Sequence, residues 1–283
     1  MTTVADWQLA NPSAHKPYEW QGAPFWAGLY ELAVRSGSRQ KYLDAIRRNG
    51  ETVQWQPGPQ PLLADDHAVT QSYFLLYRVE NDRRMIEPAL ARFGEMLQES
   101  FAESLEWSED KTLREWVWCD ALFMSPPALA LATSTTGDGR YVELMDRLWW
   151  KTTDYLYDKQ EHLYFRDSGY FTRREANGKK IFWSRGNGWV LAGLARVLAQ
   201  LPADHASRPR FVQLYREMAA KILVVDDDES LRELLRMHLS SAGYEVSTAA
   251  DAITAGYLVK PVRADRLLEL VAKHVPGGAI PIG

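Results

Sequence analysis

The carboxylate of Asp120 stands in a strongly apolar and aromatic setting within residues 114–124 (REWVWCDALFM). Burying a charged carboxyl without a partner is costly, and the usual response is a raised pKa. A carboxylic acid that keeps its proton near neutral pH is what general-acid catalysis requires. The competing use of such an aspartate is structural, as a turn cap or an arginine's partner. A second group is Ala64-Asp65-Asp66-His67, two adjacent carboxylates and an imidazole just ahead of an apolar helical pattern. Acids also favour helix N-termini for electrostatic reasons alone. A third is residues 182–189 (FWSRGNGW), in which Trp183 and Trp189 flank Arg185 and two glycines. Indole faces stack on sugar rings, and a guanidinium pairs with a carboxylate; the plainer alternative is a Gly-rich turn packed on core tryptophans. A fourth is the polar-aromatic stretch 162–171 (HLYFRDSGYF), where Arg166 could also meet an anionic substrate.

The elements that must position these groups repeat. Residues 25–34, 68–79, 125–132 and 188–201 read as helices almost free of charge. Each is followed by a polar turn and a more charged amphipathic helix, over 41–50, 85–100, 141–157 and 211–222. Ser125-Pro126-Pro127 reads as an N-cap followed by proline at the first helical position. Helices apolar all round are buried, and those with one charged face lie outside them. Repeated hairpins of this kind bury their apolar faces only by stacking on neighbours. Four of them read as part of a solenoid or of a closed α/α toroid, whose long connections surround one mouth.

The pattern changes near residue 220. Of 11 Trp and 13 Tyr nearly all precede residue 190, and no Trp follows Lys221. Residues 221–225 (KILVV) read as a buried parallel strand with acids at its C-terminal end. A helical spacing follows through Leu231, Leu234, Leu235 and Leu239, then strand-like stretches at 244–248 and 257–259 and a last helix through Leu267, Leu268, Val271 and Val275. That alternation is α/β. The expected division is 1–220 for the helical unit and 221–283 for a small α/β segment.

Composition excludes several classes. At 46% hydrophobic and 25% charged residues the chain is globular rather than disordered. A net charge of −4 provides no footing for nucleic acid or an anionic membrane. One cysteine, Cys119, rules out an internal disulfide. With no signal-peptide pattern and no long apolar run, a cytoplasmic location is expected.

The strings WCDALFMSPPALALA, ADDHAVTQSY and FWSRGNGWVLAGLARVL together resemble the unsaturated rhamnogalacturonyl and glucuronyl hydrolases, in order and spacing, over residues 5–222. The resemblance implies a mainly α fold, an (α/α)6 toroid with about four of six hairpins present. It implies removal of a Δ4,5-unsaturated uronic acid from small oligosaccharides by hydration of the vinyl ether, not by the two-carboxylate displacement of ordinary glycosidases. Asp120 would be the proton donor and Asp65 the second carboxylate. Trp20, Asp66, His67, Arg166, Trp183, Arg185 and Trp189 would bind the sugar, with no metal or organic cofactor. The sequence departs from the family at Thr70, where glycine is usual, and at Gly169, where a larger residue is common. An unclosed ring would expose helix faces, a route to self-association. Residues 221–276 resemble an incomplete response-regulator receiver domain. Asp226, Asp227 and Lys260 would form its acidic pocket, without a phospho-acceptor aspartate. Two other roles are open on these residues: a non-catalytic carbohydrate-binding module, and a signalling or scaffold chimera.

Overall fold

The computed structural model describes residues 2–219, together with the backbone of residues 221–225 and 245–249. A short helix α1 (Thr2–Ala10) precedes the first hairpin, α2 (Ala23–Ala33) and α3 (Arg39–Thr52). The second hairpin is α4 (Thr70–Glu80) and α5 (Glu87–Met96). The short helices α6 (Glu109–Thr112) and α7 (Ala121–Met124) lead into the third, α8 (Pro126–Thr136) and α9 (Arg140–Leu156). A small antiparallel ribbon, β1 (Tyr157–Asp158) and β2 (Leu163–Tyr164), separates it from the fourth, α10 (Ser184–Gln200) and α11 (Arg208–Ala219).

The helices form an arc in two layers. In the inner row α2 packs on α4, α4 on α8, and α8 on α10. The outer partners α3, α9 and α11 back α2, α8 and α10, while Phe93 of α5 stacks on Phe74 of α4 at 6.2 Å. The sequence explains each layer. Every residue of α8 from Pro126 to Ala132 is buried, which its Ala/Leu composition permits. Helix α9 buries Tyr141, Leu144, Met145, Leu148, Trp149, Thr152 and Leu156, one stripe at helical spacing. Gly137, at φ 77°, ends α8 in the left-handed conformation that glycine adopts without cost. The two ends of the arc are less covered than its middle. Phe25, Trp26 and Tyr30 of α2, and Leu191, Ala192 and Leu198 of α10, are only partly buried. Among the described residues no helix is long and apolar enough to cross a membrane.

Three details differ from expectation. Ser125 does not cap α8; its side chain makes no capping hydrogen bond and its hydroxyl instead meets Nδ1 of His67 at 2.9 Å. Helix α10 begins at Ser184 rather than at Gly188, so the Gly-rich segment is its first turn. The 162–171 stretch is not all loop, since β2 and a 3-10 turn (Ser168–Tyr170) lie within it.

Strand β3 (Lys221–Val225) pairs in parallel with β4 (Glu245–Ala249), Lys221 opposite Glu245. Two of the three expected strands are therefore described, the second at 245–249 rather than 244–248; the third, at 257–259, lies outside the described residues. Asp226, Asp227, Lys260 and the two helices expected after residue 225 lie outside the described residues.

Candidate active site

Three short segments converge. The 3-10 turn Ala64–His67 packs against α7, and α7 packs against α10. Asp120 immediately precedes α7, but its side chain makes no capping bond. It is 9% exposed. One oxygen of Asp120, Oδ1, is buried without a partner, and so is Oδ1 of Asp65. Burial pushes the Asp120 carboxyl up to about 7, against the pull of its own backbone N–H and of Arg166 and Arg185. Burial, the neighbouring Asp120 and then Asp66 push Asp65 up to about 7 as well. The rise at Asp120 comes from burial, whereas Asp65 also feels the second carboxylate. Two carboxyls in mutual range, each with an unspent buried oxygen and a pKa near neutrality, form an arrangement suited to proton transfer.

The framework holding them is dense. His67 is wholly buried, with Nε2 2.9 Å from the Pro61 carbonyl and Nδ1 2.9 Å from Ser125 Oγ. Burial lowers its pKa to about 4, so the ring is neutral: Nε2–H donates to Pro61 and Nδ1 accepts from the serine. Asp66 Oδ2 accepts from the Gln60 backbone at 2.6 Å. A Cβ on Gly58 would sit 2.1 Å from the Asp66 carboxyl carbon, so only glycine fits there. Asp66 and His67 thus spend their polar atoms on Gln60, Pro61 and Ser125, which fixes the turn that carries Asp65. Thr70, buried at the start of α4, donates to the His67 carbonyl at 2.7 Å. Gln71 donates to the Phe123 carbonyl at 2.9 Å and accepts from Arg196 at 2.7 Å, tying α4, α7 and α10 together.

Helix α10 approaches the Asp120 segment so closely that side chains are excluded. A Cβ on Gly186 would lie 2.4 Å from the Trp183 ring and 2.7 Å from Cys119 Sγ. One on Gly193 would lie 2.3 Å from the Leu122 carbonyl oxygen. Asn187 was not singled out from the sequence, yet it fastens this end. Its Oδ1 accepts from Tyr164 N at 2.7 Å, and its Nδ2 donates to the carbonyls of Tyr164 at 2.9 Å and Trp183 at 3.0 Å. An amide that bridges a helix start to a strand carries no local signature, so spacing alone could not flag it.

Arg185 stacks over Trp183 at 4.7 Å, and Arg166 lies 6.0 Å from the same ring. Arg166 also pairs with buried Asp167 at 3.0 Å. Asp167 in turn accepts from Gly169 N at 2.8 Å, and a Cβ on Gly169 would come within 2.9 Å of that oxygen, which accounts for glycine there. Trp189 packs on Phe123 at 4.8 Å, and its Nε1 is buried without a partner. Trp20 is half-buried against the core, apart from these contacts. The structure therefore gathers Asp65, Asp120, Arg166, Trp183 and Arg185 into one neighbourhood.

The glycosyl hydrolase family 88 model matches residues 1–274. The unsaturated 3S-rhamnoglycuronyl hydrolase of Formosa agariphila is 34% identical over 245 residues, covering 82% of this chain and 64% of that protein. A protein of the same name from an Alteromonas species is 28% identical, over 80% of this chain and 60% of its own. The chain thus spans less than two-thirds of the length of these two relatives. A solved family 88 glycosyl hydrolase from Bacteroides vulgatus superposes with a TM-score of 0.65 at 28% identity, over 74% of this chain and 63% of that one. Separately, 51 residues, 18% of the chain, are 45% identical to the response regulator MprA of Mycobacterium tuberculosis.

Proposed function

The chain belongs to glycosyl hydrolase family 88, and on that premise we propose that it removes a Δ4,5-unsaturated uronic acid, galacturonyl or glucuronyl, from the end of a small pectin-derived oligosaccharide. The observation that carries this reading is the pair Asp65 and Asp120, each raised to about 7 and each with a buried oxygen free of partners. Protonated Asp120 delivers its proton to C4 of the vinyl ether. Water adds at C5, giving a hemiketal, and Asp120, now a carboxylate, takes up the proton that the water gives off. The hemiketal opens and releases the aglycone as an alcohol. Asp65 orients the sugar or the water. Arg185 and Arg166 neutralise the uronate carboxylate, and Trp183 offers a face to the ring. Asp66 and His67 act on the substrate through the loop they hold rather than by contact.

The test is to follow the ultraviolet absorbance of the conjugated double bond in an unsaturated rhamnogalacturonan disaccharide. The wild type is expected to abolish it and Asp120→Asn to slow the loss at least a hundredfold, the low end of general-acid contributions at about 10²–10⁴. Binding without loss of absorbance would make the protein a carbohydrate-binding module instead.

We further infer a boundary near residue 220. The parallel pairing of β3 with β4 and the 51-residue likeness to a response regulator support a receiver-like second segment. The family match itself runs on to residue 274. In this reading the half-exposed apolar faces of α2 and α10 are where the arc meets further helices or a second copy.

A further inference from the structure

We propose that Arg78 of α4 and Arg196 of α10 form a second ligand site, a cradle on the inner wall of the arc for a small dianionic oxyanion of the sulfate or phosphate class, well apart from the carboxylate pair.

The first observation is two cations without counter-ions. Among the described residues neither arginine pairs with an acid, whereas Arg47, Arg84 and Arg140 all do. Arg196 donates Nε–H to Gln71 Oε1 at 2.7 Å. Arg78 donates from one nitrogen, Nη2, to Ser134 Oγ and to Gln200 Oε1, the latter at 2.7 Å. Both Nη groups of Arg196, and Nε and Nη1 of Arg78, have no partner among the described residues. The surrounding helices strip water from both guanidiniums and push them below their ordinary pKa. A charge taken out of water without a partner is costly, and an anion seated on the free edges offsets that cost.

The second observation is that the two converge. Arg196 reaches from α10 to α4, Arg78 reaches from α4 to α10, and its partner Gln200 lies one turn beyond Arg196 on the same helix face. Both lie in electrostatic range of one turn of α2, where Arg78 feels Tyr30 and Arg196 feels Glu31. Glu31 is already committed to Arg35, at 2.7 Å. Because α2 and α10 are the two ends of the inner row, residues of α4 and α10 that sense α2 face the hollow of the arc. Arg196 is half-buried and Arg78 exposed, so a solute can reach them.

The site is separate from the acids. Arg196 stands three turns beyond Arg185 on α10, about 16 Å along the axis. Arg78 is in the last turn of α4, whereas Asp65 precedes its first. Asp120 feels Arg166 and Arg185 but neither of these arginines. Tying α4 to α10 uses one edge of each guanidinium and does not account for two free edges turned to the same hollow. Planar forks pair bidentately with sulfate- or phosphate-like groups, and two forks match a double charge.

The experiment is calorimetric titration of the full-length wild type at fixed ionic strength, with sodium sulfate, sodium phosphate and sodium acetate as probes. Sulfate or phosphate is expected to bind at least about tenfold tighter than the singly charged acetate. The bound dianion should also raise Tm, because it binds only the folded chain. Arg78→Gln and Arg196→Gln should each weaken the dianion by about tenfold or more, while Arg185→Gln keeps it. Arg78 is exposed, so Arg78→Gln should melt like the wild type without anion; its arm decides the matter if Arg196→Gln fails to fold. Absence of dianion binding, acetate binding as tightly as sulfate and phosphate, or affinity untouched by Arg78→Gln overturns the site. So does a loss confined to Arg185→Gln, which places the anion beside the carboxylate pair instead.

Discussion

Replacing Asp120 by asparagine should stabilise the protein, by an amount that grows as pH rises from about 4 and is complete above about 7. The folded carboxyl gives up its proton near 7 rather than at its ordinary 3.8, because it is buried. Between those values the folded state binds more protons than the unfolded one, so stability falls as pH rises and the loss is complete above about 7. Three pKa units at about 1.36 kcal/mol each make the cost of ionising this site about 4 kcal/mol. Asparagine keeps the shape and has nothing to ionise, so the variant escapes that cost. For a helical unit of this size, a gain of about 4 kcal/mol raises Tm by on the order of 10 °C. His67 titrates in the opposite sense: its pKa is lowered to about 4 by burial, so it costs stability as pH falls through the range from 6.5. That contribution is common to both proteins and cancels in their difference. Removing Asp120 also relieves the repulsion felt by Asp65, which adds to the gain. The assay is thermal melting by circular dichroism at about pH 4 and about pH 8.5, either side of the window set by the two pKa values. The Tm difference should be small in acid and large in base. The same difference at both pH values would refute the argument that Asp120 is a buried, proton-holding acid.

Three more outcomes follow from the same geometry. With Asp120 as acid, kcat/KM for the unsaturated disaccharide should fall as pH rises through about 7, by about tenfold per unit at the high end; a rate that climbs through that range would exclude Asp120 as proton donor. Gly193→Ala forces a Cβ to within 2.3 Å of the Leu122 carbonyl and should cost about 1–3 kcal/mol while displacing α7, read as a lower urea midpoint together with lower kcat. Ser125→Ala strips Nδ1 of buried His67 of its donor and should cost about 1–3 kcal/mol in denaturant titration; an unchanged midpoint would mean that the imidazole finds another partner.

Much of the helical unit is readable from residue order. The stripe in α9 and the Ala/Leu run of α8 are local patterns, and the four hairpins fall close to where those patterns place them. Boundaries slipped where tertiary contacts overrode a local cue. Ser125 has the chemistry of an N-cap, but its hydroxyl is claimed by His67, 58 residues earlier in the chain. The Gly-Asn-Gly run at 186–188 reads as a turn because glycine weakens helices. It is helical nonetheless, since Asn187 bridges to Tyr164 and Gly186 lets Trp183 and Cys119 close in. The 166–173 stretch yielded one candidate, Arg166. Its stacking on Tyr170 depends on a 3-10 turn that no periodicity announces.

The order of residues alone determined the layered helices and the chemical groups that the site holds, because helix periodicity and residue type are properties of neighbours three or four apart. It could not decide how those groups are used. Asp65, Asp66 and His67 are consecutive, yet one carries an unpartnered oxygen beside Asp120 while the other two are bound to the 58–61 loop and to Ser125. That division is a matter of tertiary packing. Only when the 64–67 turn, α7 and α10 are pressed together does water leave the two carboxyls. The loss of water is what turns ordinary aspartates into a pair that can hold a proton at neutral pH.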